Sequence, residues 1–178
     1  MRIAIDLDNV VVDWQNRWAD LYEQWFDVKI PAVKRATWNA CMDETHFESM
    51  DQFYNWFFVA GGWDISYLKG AQGALYQLSQ RPNTFIHFCT SRPPAGRASA
   101  ADLAGKWSTR VDFLNNASKH LSKADVWIDD SPEVLENLAA NGKQAIRFEQ
   151  PWNKSCTAFT HTAKNWREVL AILDKEYQ

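Results

Sequence analysis

The sequence contains little cysteine, and the cysteines that it has show no pairing pattern. Cys41, Cys89 and Cys156 are odd in number and far apart, without the spacing of a paired-thiol motif. Cys89 lies inside an apolar run, where a free thiol behaves as a small hydrophobic side chain. This pattern argues against a disulfide-stabilised secreted domain and predicts a cytoplasmic protein in a reducing environment.

Long apolar runs and clusters of basic residues are also missing. No apolar run approaches the ~20 residues that a membrane-spanning helix needs, and the sequence begins on a strand-like run, which predicts no signal peptide. The net charge is −3 and the basic residues are scattered, which argues against a surface for nucleic-acid polymers. We therefore expect no membrane or nucleic-acid partner, and a monomer or homodimer. A local positive pocket for a short phosphorylated ligand is still allowed.

Aromatic residues, in contrast, are plentiful. They make up 14% of the 178 residues and include ten Trp. Residues 27–69 hold many of them in a polar, poorly patterned segment, with helical spacing between about 48 and 59. We interpret this segment as a small helical insertion in one domain, and some of its rings could line a pocket.

Outside that segment, strand and helix patterns alternate. Apolar runs predict strands at 2–7, 84–89, 124–128 and 144–148. Apolar spacing predicts helices at 14–26, after Gly70, from Ser131 to Asn141 and at 164–175. A further stripe at Leu103, Trp107, Val111 and Leu114 predicts a helix, with Ser99 and Asp102 spaced as a capping box. The alternation indicates an α/β fold with a parallel sheet covered on both faces.

Reactive side chains follow three of the predicted strands: Asp6 and Asp8, Thr90 and Ser91, and Asp129 and Asp130. The carboxyl ends of parallel strands share one sheet edge, where ligands bind. Two carboxylates ~4 Å apart repel by roughly 4 kcal/mol at an effective dielectric near 20, so a shared proton or a cation is needed. An all-oxygen site without His or Cys clusters predicts Mg²⁺ rather than zinc. Taken alone, the first pair could also be a solvated acidic turn.

Four motifs, in this order along the chain, resemble those of the haloacid dehalogenase (HAD) superfamily of phosphohydrolases. They are Asp6 with Asp8, then Thr90, then Lys119, then Asp129 with Asp130. Receiver domains use similar residues but place the acids before the Thr and the Lys. More narrowly, the chain resembles the 5′(3′)-deoxyribonucleotidases. That likeness depends on the following additional residues: Asp13 and Trp14, Cys89 and Ser91, Ile128, and the run Gln150, Pro151, Trp152 and Asn153.

The resemblance implies a role for each motif residue. Asp6 would be the nucleophile and Asp8 the general acid and base. The Mg²⁺ would be bound by Asp6, the backbone carbonyl of Asp8, and Asp130. Three residues would hold the phosphoryl group: Thr90, Ser91 and Lys119. Two would orient metal-bound water: Asp129 and Glu133.

Several of these assignments have alternatives. Lys123 could take the place of Lys119, and Ser91 could be a turn residue. Arg92 is interpreted as a surface residue that could also approach a phosphate. Asn9 stands where the family usually has Gly, and Asn also accepts a left-handed backbone.

The resemblance also implies an architecture and an activity. We expect a three-layer αβα Rossmann-like parallel sheet, with core residues 1–15 and 70–178 and a small helical cap at 16–69. The expected activity is that of a Mg²⁺-dependent phosphomonoesterase acting on nucleoside monophosphates. Four rings are candidates for contact with the base: Trp14, Trp38, Phe57 and Phe58. The alternatives are that these rings only pack the cap on the core, that the substrate is another small phosphate ester, or that the protein is a catalytically silent binder.

Overall fold

A single sheet of six parallel strands organises the molecule in the computed structural model, which describes residues 1–108 and 110–177. The strands are β1 (Arg2–Ile5), β2 (Phe85–Thr90), β3 (Val111–Phe113), β4 (Val126–Asp129), β5 (Ala145–Phe148) and β6 (His161–Ala163). Their order in the sheet is β3-β2-β1-β4-β5-β6, the order of the Rossmann fold. The predicted fold class is therefore confirmed.

Helices connect and cover the strands. The α-helices are α1 (Trp14–Phe26), α2 (Ala40–Asp43), α3 (Met50–Val59), α4 (Ala71–Gln80), α5 (Arg97–Gly105), α6 (Pro132–Ala140) and α7 (Trp166–Glu176). Short 3-10 helices occupy Lys34–Ala36, Pro94–Gly96, Asn116–Leu121 and Pro151–Asn153. Helix α6 begins as the sequence predicts, because the Ser131 hydroxyl accepts the Val134 amide at 3.4 Å and Pro132 takes the first position.

The two faces of the sheet bury different side chains, because residues alternate along a strand. In β4, Val126 and Ile128 pack into the cluster that contains side chains of α4, α5 and α7. Trp127 points to the opposite face and packs with α6. Apolar layers thus cover both faces of the sheet, as predicted.

Helices α1 and α3 share a separate apolar cluster, in which Trp18, Phe53 and Phe57 are fully buried. After α3 the chain returns to the loop that follows β1, where the Leu68 amide donates to the Val11 carbonyl at 2.8 Å. Ile65 packs against both this cluster and the core. The segment that contains α1 and α3 thus lies beside the loop that follows the first strand.

Two sequence predictions about elements are wrong. Helix α5 ends at Gly105, and Val111 lies in β3, paired with Phe88 of β2, so the helical stripe through Trp107 and Leu114 is not one helix. Ser99 lies inside α5 and its hydroxyl donates to the Gly96 carbonyl at 3.0 Å, so it does not cap the helix. In addition, the structure contains β6 and the 3-10 helix Asn116–Leu121, which are not among the elements predicted from the sequence.

None of the helices in residues 1–108 and 110–177 is both long and apolar enough to cross a membrane.

Candidate active site

Three acids meet at the carboxyl edge of the sheet, where β1 and β4 lie side by side. Asp6 follows β1, Asp129 ends β4, and Asp130 comes next. One carboxylate oxygen of each lies within 4.8 Å of the others, and all three residues are buried. The crevice between β1 and β4 is the point where the strand order reverses, which is where ligands bind in such sheets. The structure thus brings together three of the acids that the sequence analysis singled out.

Lys119 neutralises part of this charge. Its ammonium donates to Asp6 Oδ1 at 2.6 Å and to Asp129 Oδ2 at 2.8 Å, and the residue is only 2% exposed. The Trp127 indole donates to the Lys119 carbonyl at 3.3 Å and so holds the turn against β4. Lys123, the alternative, is exposed and lies apart from the acids. The structure therefore brings Lys119 to the acids.

Burial and the charges of neighbouring groups shift the pKa values of these residues. Burial raises the pKa of Asp6 to about 7, with the Lys119 ammonium opposing the shift. The pKa of Asp130 is raised well above its usual range by burial and by the neighbouring carboxylates of Asp6 and Asp129. For Lys119, burial favours the neutral form, but the carboxylates of Asp129 and Asp6 outweigh it and raise the pKa. Lys119 is thus bonded to Asp6 and Asp129, and the raised pKa values of Asp6 and Asp130 favour protonation of these two acids when no cation is bound.

Asp8 has a cation of its own. The Arg92 guanidinium Nε donates to Asp8 Oδ2 at 3.0 Å and Oδ1 at 3.2 Å, and Nη2 also donates to Oδ1. Arg92 is 3% exposed, so it is not the surface residue that the sequence suggested. Asp8 remains at the cavity wall.

Of the three remaining polar candidates, only Ser91 lines the cavity beside the acids. Ser91 is exposed and lines the cavity. Thr90 is almost fully buried, its hydroxyl oxygen accepts the Arg92 amide at 3.2 Å, and it does not line the cavity. Glu133 is exposed and accepts the Asn116 side-chain amide at 3.1 Å, so it reaches the cavity wall only through Asn116.

A cavity of about 380 Å³ opens above the acids, within the usual size range of small-molecule sites. Its aromatic wall contains Trp14 of α1, Tyr54 of α3, Trp38 and Trp152. The ring centroids of Trp38 and Trp152 are 6.2 Å apart, and Trp38 is 41% exposed. Sequence reasoning missed Tyr54 and the ring of Trp152, although the resemblance had already singled out the segment around Trp152.

Phe57 and Phe58 do not reach this cavity. Phe57 is fully buried in the cap cluster, stacked on Phe53 with ring centroids 5.9 Å apart. The Phe58 ring instead lies over Gly96, where an added Cβ would come within 2.5 Å of it, and lines a different pocket. The expectation that these two rings face the substrate is not met in the structure, because helix α3 turns them towards the cap and the core.

Side chains that are distant in sequence hold the loops next to the acid cluster. Asn9 has a φ of 60°, the left-handed conformation predicted for it, and its carbonyl accepts a hydrogen bond from the Gln150 side-chain Nε2 at 2.7 Å. The fully buried Asn153 donates to the carbonyls of Asp130 at 2.8 Å and Phe148 at 2.9 Å. The Trp166 indole donates to the Val10 carbonyl at 2.8 Å. The backbones on both sides of the acid cluster are thus fixed.

Comparison with solved structures identifies the fold. A haloacid dehalogenase-like hydrolase from Streptococcus pneumoniae aligns with TM-score 0.68 and 16% identity, over 97% of each chain. A HAD family hydrolase from Deinococcus radiodurans with bound phosphate and sodium has TM-score 0.65 and 12% identity, over 97% of this chain and 95% of that one. A protein assigned to the HAD hydrolases from Bacillus subtilis, bound to magnesium, has TM-score 0.63 and 14% identity, over 97% and 98%. The fold is that of the HAD-like phosphatases.

The sequence also matches a particular family within that class. Residues 1–176 match the family described as 5′ nucleotidase, deoxy (Pyrimidine), cytosolic type C protein. The chain belongs to this family, and it is a HAD phosphatase. A comparison with curated proteins found no match.

Proposed function

We propose that this protein is a Mg²⁺-dependent phosphomonoesterase that removes the phosphate from nucleoside monophosphates, with deoxyribonucleotides as the expected substrates, in the cytosol. The observation that carries the proposal is the position of Asp6, Lys119 and Asp130 beneath a cavity with an aromatic wall. The family description, which names a cytosolic deoxynucleotidase, supports the substrate class and the location.

The acids fit a divalent cation. Asp130 Oδ2 is buried and has no hydrogen-bond partner among the described residues, while both Asp129 oxygens accept hydrogen bonds, from Lys119 at 2.8 Å and from the Ser131 amide at 2.9 Å. We infer that Asp6, the backbone carbonyl of Asp8 and Asp130 hold Mg²⁺, and that Asp129 and Glu133 support the site from outside. When bound, the ion would neutralise charge on the phosphoryl oxygens.

Asp6 acts as the nucleophile in this proposal. Its carboxylate attacks phosphorus, a P–O bond to Asp6 forms, and the P–O bond to the ester oxygen breaks. Lys119 favours the ionised form of Asp6 through the 2.6 Å contact and so opposes the effect of burial. An ammonium has three N–H donors, and Lys119 uses two of them on Asp6 and Asp129. The third can donate to a phosphoryl oxygen, beside Ser91 at the cavity wall; for Thr90 the same role stays a prediction.

Asp8 acts as general acid and then as general base in this proposal. It gives a proton to the departing ester oxygen, so that the nucleoside leaves as an alcohol. It then takes a proton from the water that attacks the aspartyl-phosphate. The P–O bond to Asp6 breaks, inorganic phosphate leaves, and Asp6 and Asp8 return to their starting states.

The aromatic wall would bind the base. Stacking of a base on such rings contributes about 1–3 kcal/mol and discriminates little between bases. Trp14, Trp38, Tyr54 and Trp152 border the cavity, and Trp38 has the exposure to receive a ring. We therefore assign base contact to these residues and not to Phe57 or Phe58.

The test is phosphate release from purified protein with Mg²⁺, over a panel of 5′- and 3′-nucleotides and sugar phosphates. Nucleotides should be the best substrates, and Asp6→Asn should abolish turnover while the thermal melt stays cooperative. Asp20→Asn, an exposed acid on α1, is the matched control and should keep full activity. Turnover of the Asp6→Asn variant at the wild-type rate would rule out Asp6 as the nucleophile.

The substrate class is tested separately on the aromatic wall. Trp38→Ala should raise KM for nucleotides by roughly 5- to 100-fold, the loss of one stacking contact, with little change for a sugar phosphate. Trp63→Ala is the control, because Trp63 is 65% exposed and lines the other pocket. A panel that shows no preference for nucleotides would instead favour another small phosphate ester.

A further inference from the structure

Arg92 is a buried cation beside Asp8, yet it takes part in none of the steps proposed for Asp6 and Asp8. All three of its guanidinium nitrogens are engaged: Nε and Nη2 donate to Asp8, and Nη1 donates to the Ser99 hydroxyl at 2.9 Å. Arg92 is 3% exposed and does not line the cavity above the acids. It is therefore poorly placed to bind the phosphate of a substrate directly.

We propose that Arg92 is a positioning residue that fixes the carboxyl group of Asp8 for proton transfer to the ester oxygen. This inference rests on the proposed function of Asp8. Hydrogen bonds from Nε to both carboxylate oxygens fix the plane of the carboxyl group as well as its distance. The Asp8 side chain keeps 18% exposure and borders the cavity, so it stays open to a substrate while it is held.

Arg92 is itself held by separate parts of the molecule. Ser99 belongs to α5 in the core, and the Ser99 hydroxyl also donates to the Gly96 carbonyl at 3.0 Å. From the cap, the Phe58 ring of α3 lies 5.9 Å from the guanidinium carbon, a cation–π distance. The Arg92 amide donates to the Thr90 hydroxyl at the end of β2.

These contacts also explain why Phe58 faces away from the substrate cavity. Its ring fills the space over Gly96, where a side chain with a Cβ would collide with it. The cap helix α3, the core helix α5 and the end of β2 thus all meet at Arg92. The orientation of Asp8 depends on all three.

A positioning role predicts a dependence on the leaving group. A nucleoside leaves as a poor alkoxide and needs the proton of Asp8, whereas p-nitrophenolate leaves without one. General acid catalysis contributes about 10²–10⁴-fold, and misplacement of the acid should lose part of that. In Arg92→Gln, we expect the single-turnover rate of nucleoside release from a nucleotide to fall roughly 10- to 100-fold, with KM nearly unchanged. The rate of the p-nitrophenolate burst from p-nitrophenyl phosphate should stay nearly unchanged, because that step needs no proton from Asp8.

Further variants separate positioning from a merely structural effect. Arg92→Lys keeps the charge but loses the planar fork, so it should restore only part of the nucleotide rate. Ser99→Ala leaves the Arg92–Asp8 pair in place and removes one support, so it should lower the nucleotide rate by a few-fold with the same selectivity. Arg97→Gln, an exposed arginine on α5, should behave as wild type.

The experiment distinguishes two failures. Asp8→Asn must show the leaving-group dependence; if it does not, the proposed role of Asp8 is wrong. If Asp8→Asn shows it but Arg92→Gln slows both substrates equally, or neither, the positioning role of Arg92 is overturned. Should Arg92→Gln not fold, Ser99→Ala decides, because equal loss on both substrates, or no loss, contradicts the inference.

Discussion

At the scale of single residues, the site is a set of acids with unequal partners. Asp8 has Arg92, and Asp6 and Asp129 share Lys119. One oxygen of Asp130 has no partner among the described residues. A buried charge without a partner is expensive, so Asp130 is the position where a bound cation should contribute most to stability.

Removal of Lys119 should therefore destabilise the fold as well as slow catalysis. Lys119→Met leaves Asp6 and Asp129 buried without a cation, and breaking such a group typically costs about 3–5 kcal/mol. Urea unfolding at pH 7 measures this free energy. Lys123→Met is the matched control, because that lysine is exposed, and should change stability by less than about 0.5 kcal/mol. Equal losses in the two variants would contradict the structure.

The raised pKa values of Asp6 and Asp130 predict how stability depends on pH without metal. A group whose pKa is higher in the folded state stabilises the fold below its unfolded pKa, and this contribution is lost as pH rises through the folded pKa. For Asp6 the pKa rises from 3.8 to about 7. The melting temperature of the metal-free protein should therefore fall as pH rises from about 4 to 7.

In the proposed function Mg²⁺ binds the ionised acids, so it should reverse that loss. The gain in melting temperature should be larger at pH 8 than at pH 5. Asp130→Asn removes one charge, so it should melt at a higher temperature than the metal-free wild type at pH 8 and respond little to Mg²⁺. Asp20→Asn should respond as wild type does. A response of equal size in Asp130→Asn would show that the ion binds elsewhere.

The sequence predicted the candidate catalytic residues better than their supports. Asp6, Asp129 and Asp130 lie at the ends of apolar strands and have recognisable spacing, so their convergence followed from the parallel sheet. Arg92 precedes two prolines in a polar segment, and nothing local decides whether its side chain points to solvent or inward. Its burial depends on Phe58 of α3 and Ser99 of α5. It could therefore not be predicted from Arg92 and its neighbours in the sequence.

At the scale of elements, burial decides which strands can be read from the sequence. β1, β2, β4 and β5 lie inside the sheet and are largely apolar, so their patterns were clear. The edge strands β3 and β6 have three residues each and are only partly buried. Strands this short carry no periodicity, which is why Val111 was assigned to a helix.

Capping is an element property that can be tested near the site. Ser131 starts α6 and accepts the Val134 amide, so Ser131→Ala should lower the free energy of unfolding by about 1 kcal/mol. Chemical denaturation measures it. Ser155→Ala, in an exposed turn, should change little. If the two variants were equally stable, the hydroxyl would not be capping the helix.

At the scale of the whole molecule, the cap and the core are joined by more than their chain connections. Ile65 packs on both apolar clusters, and Phe58 of the cap lies against Gly96 of the core. The division into a core of residues 1–15 and 70–178 and a cap of residues 16–69 stays a prediction. These contacts indicate how the two parts should behave when the protein unfolds.

We expect them to unfold together, because each part supports the other. Far-UV circular dichroism and tryptophan fluorescence should give coincident denaturation curves; both clusters contain buried Trp, such as Trp18 and Trp166. Ile65→Ala should shift both curves equally, while Val59→Ala, 79% exposed, should shift neither. Two separate transitions would show that the cap folds independently.

The bond from the Trp166 indole to the Val10 carbonyl spans 156 positions of the sequence. It therefore fastens the loop that follows Asp8 to α7, a helix that comes after all six strands in the sequence. A variant that lacks α7 still contains every acid of the cluster, but the turn after β1 has lost its tether. Loss of α7 should accordingly disturb the acid site, although none of the residues of α7 lines the cavity.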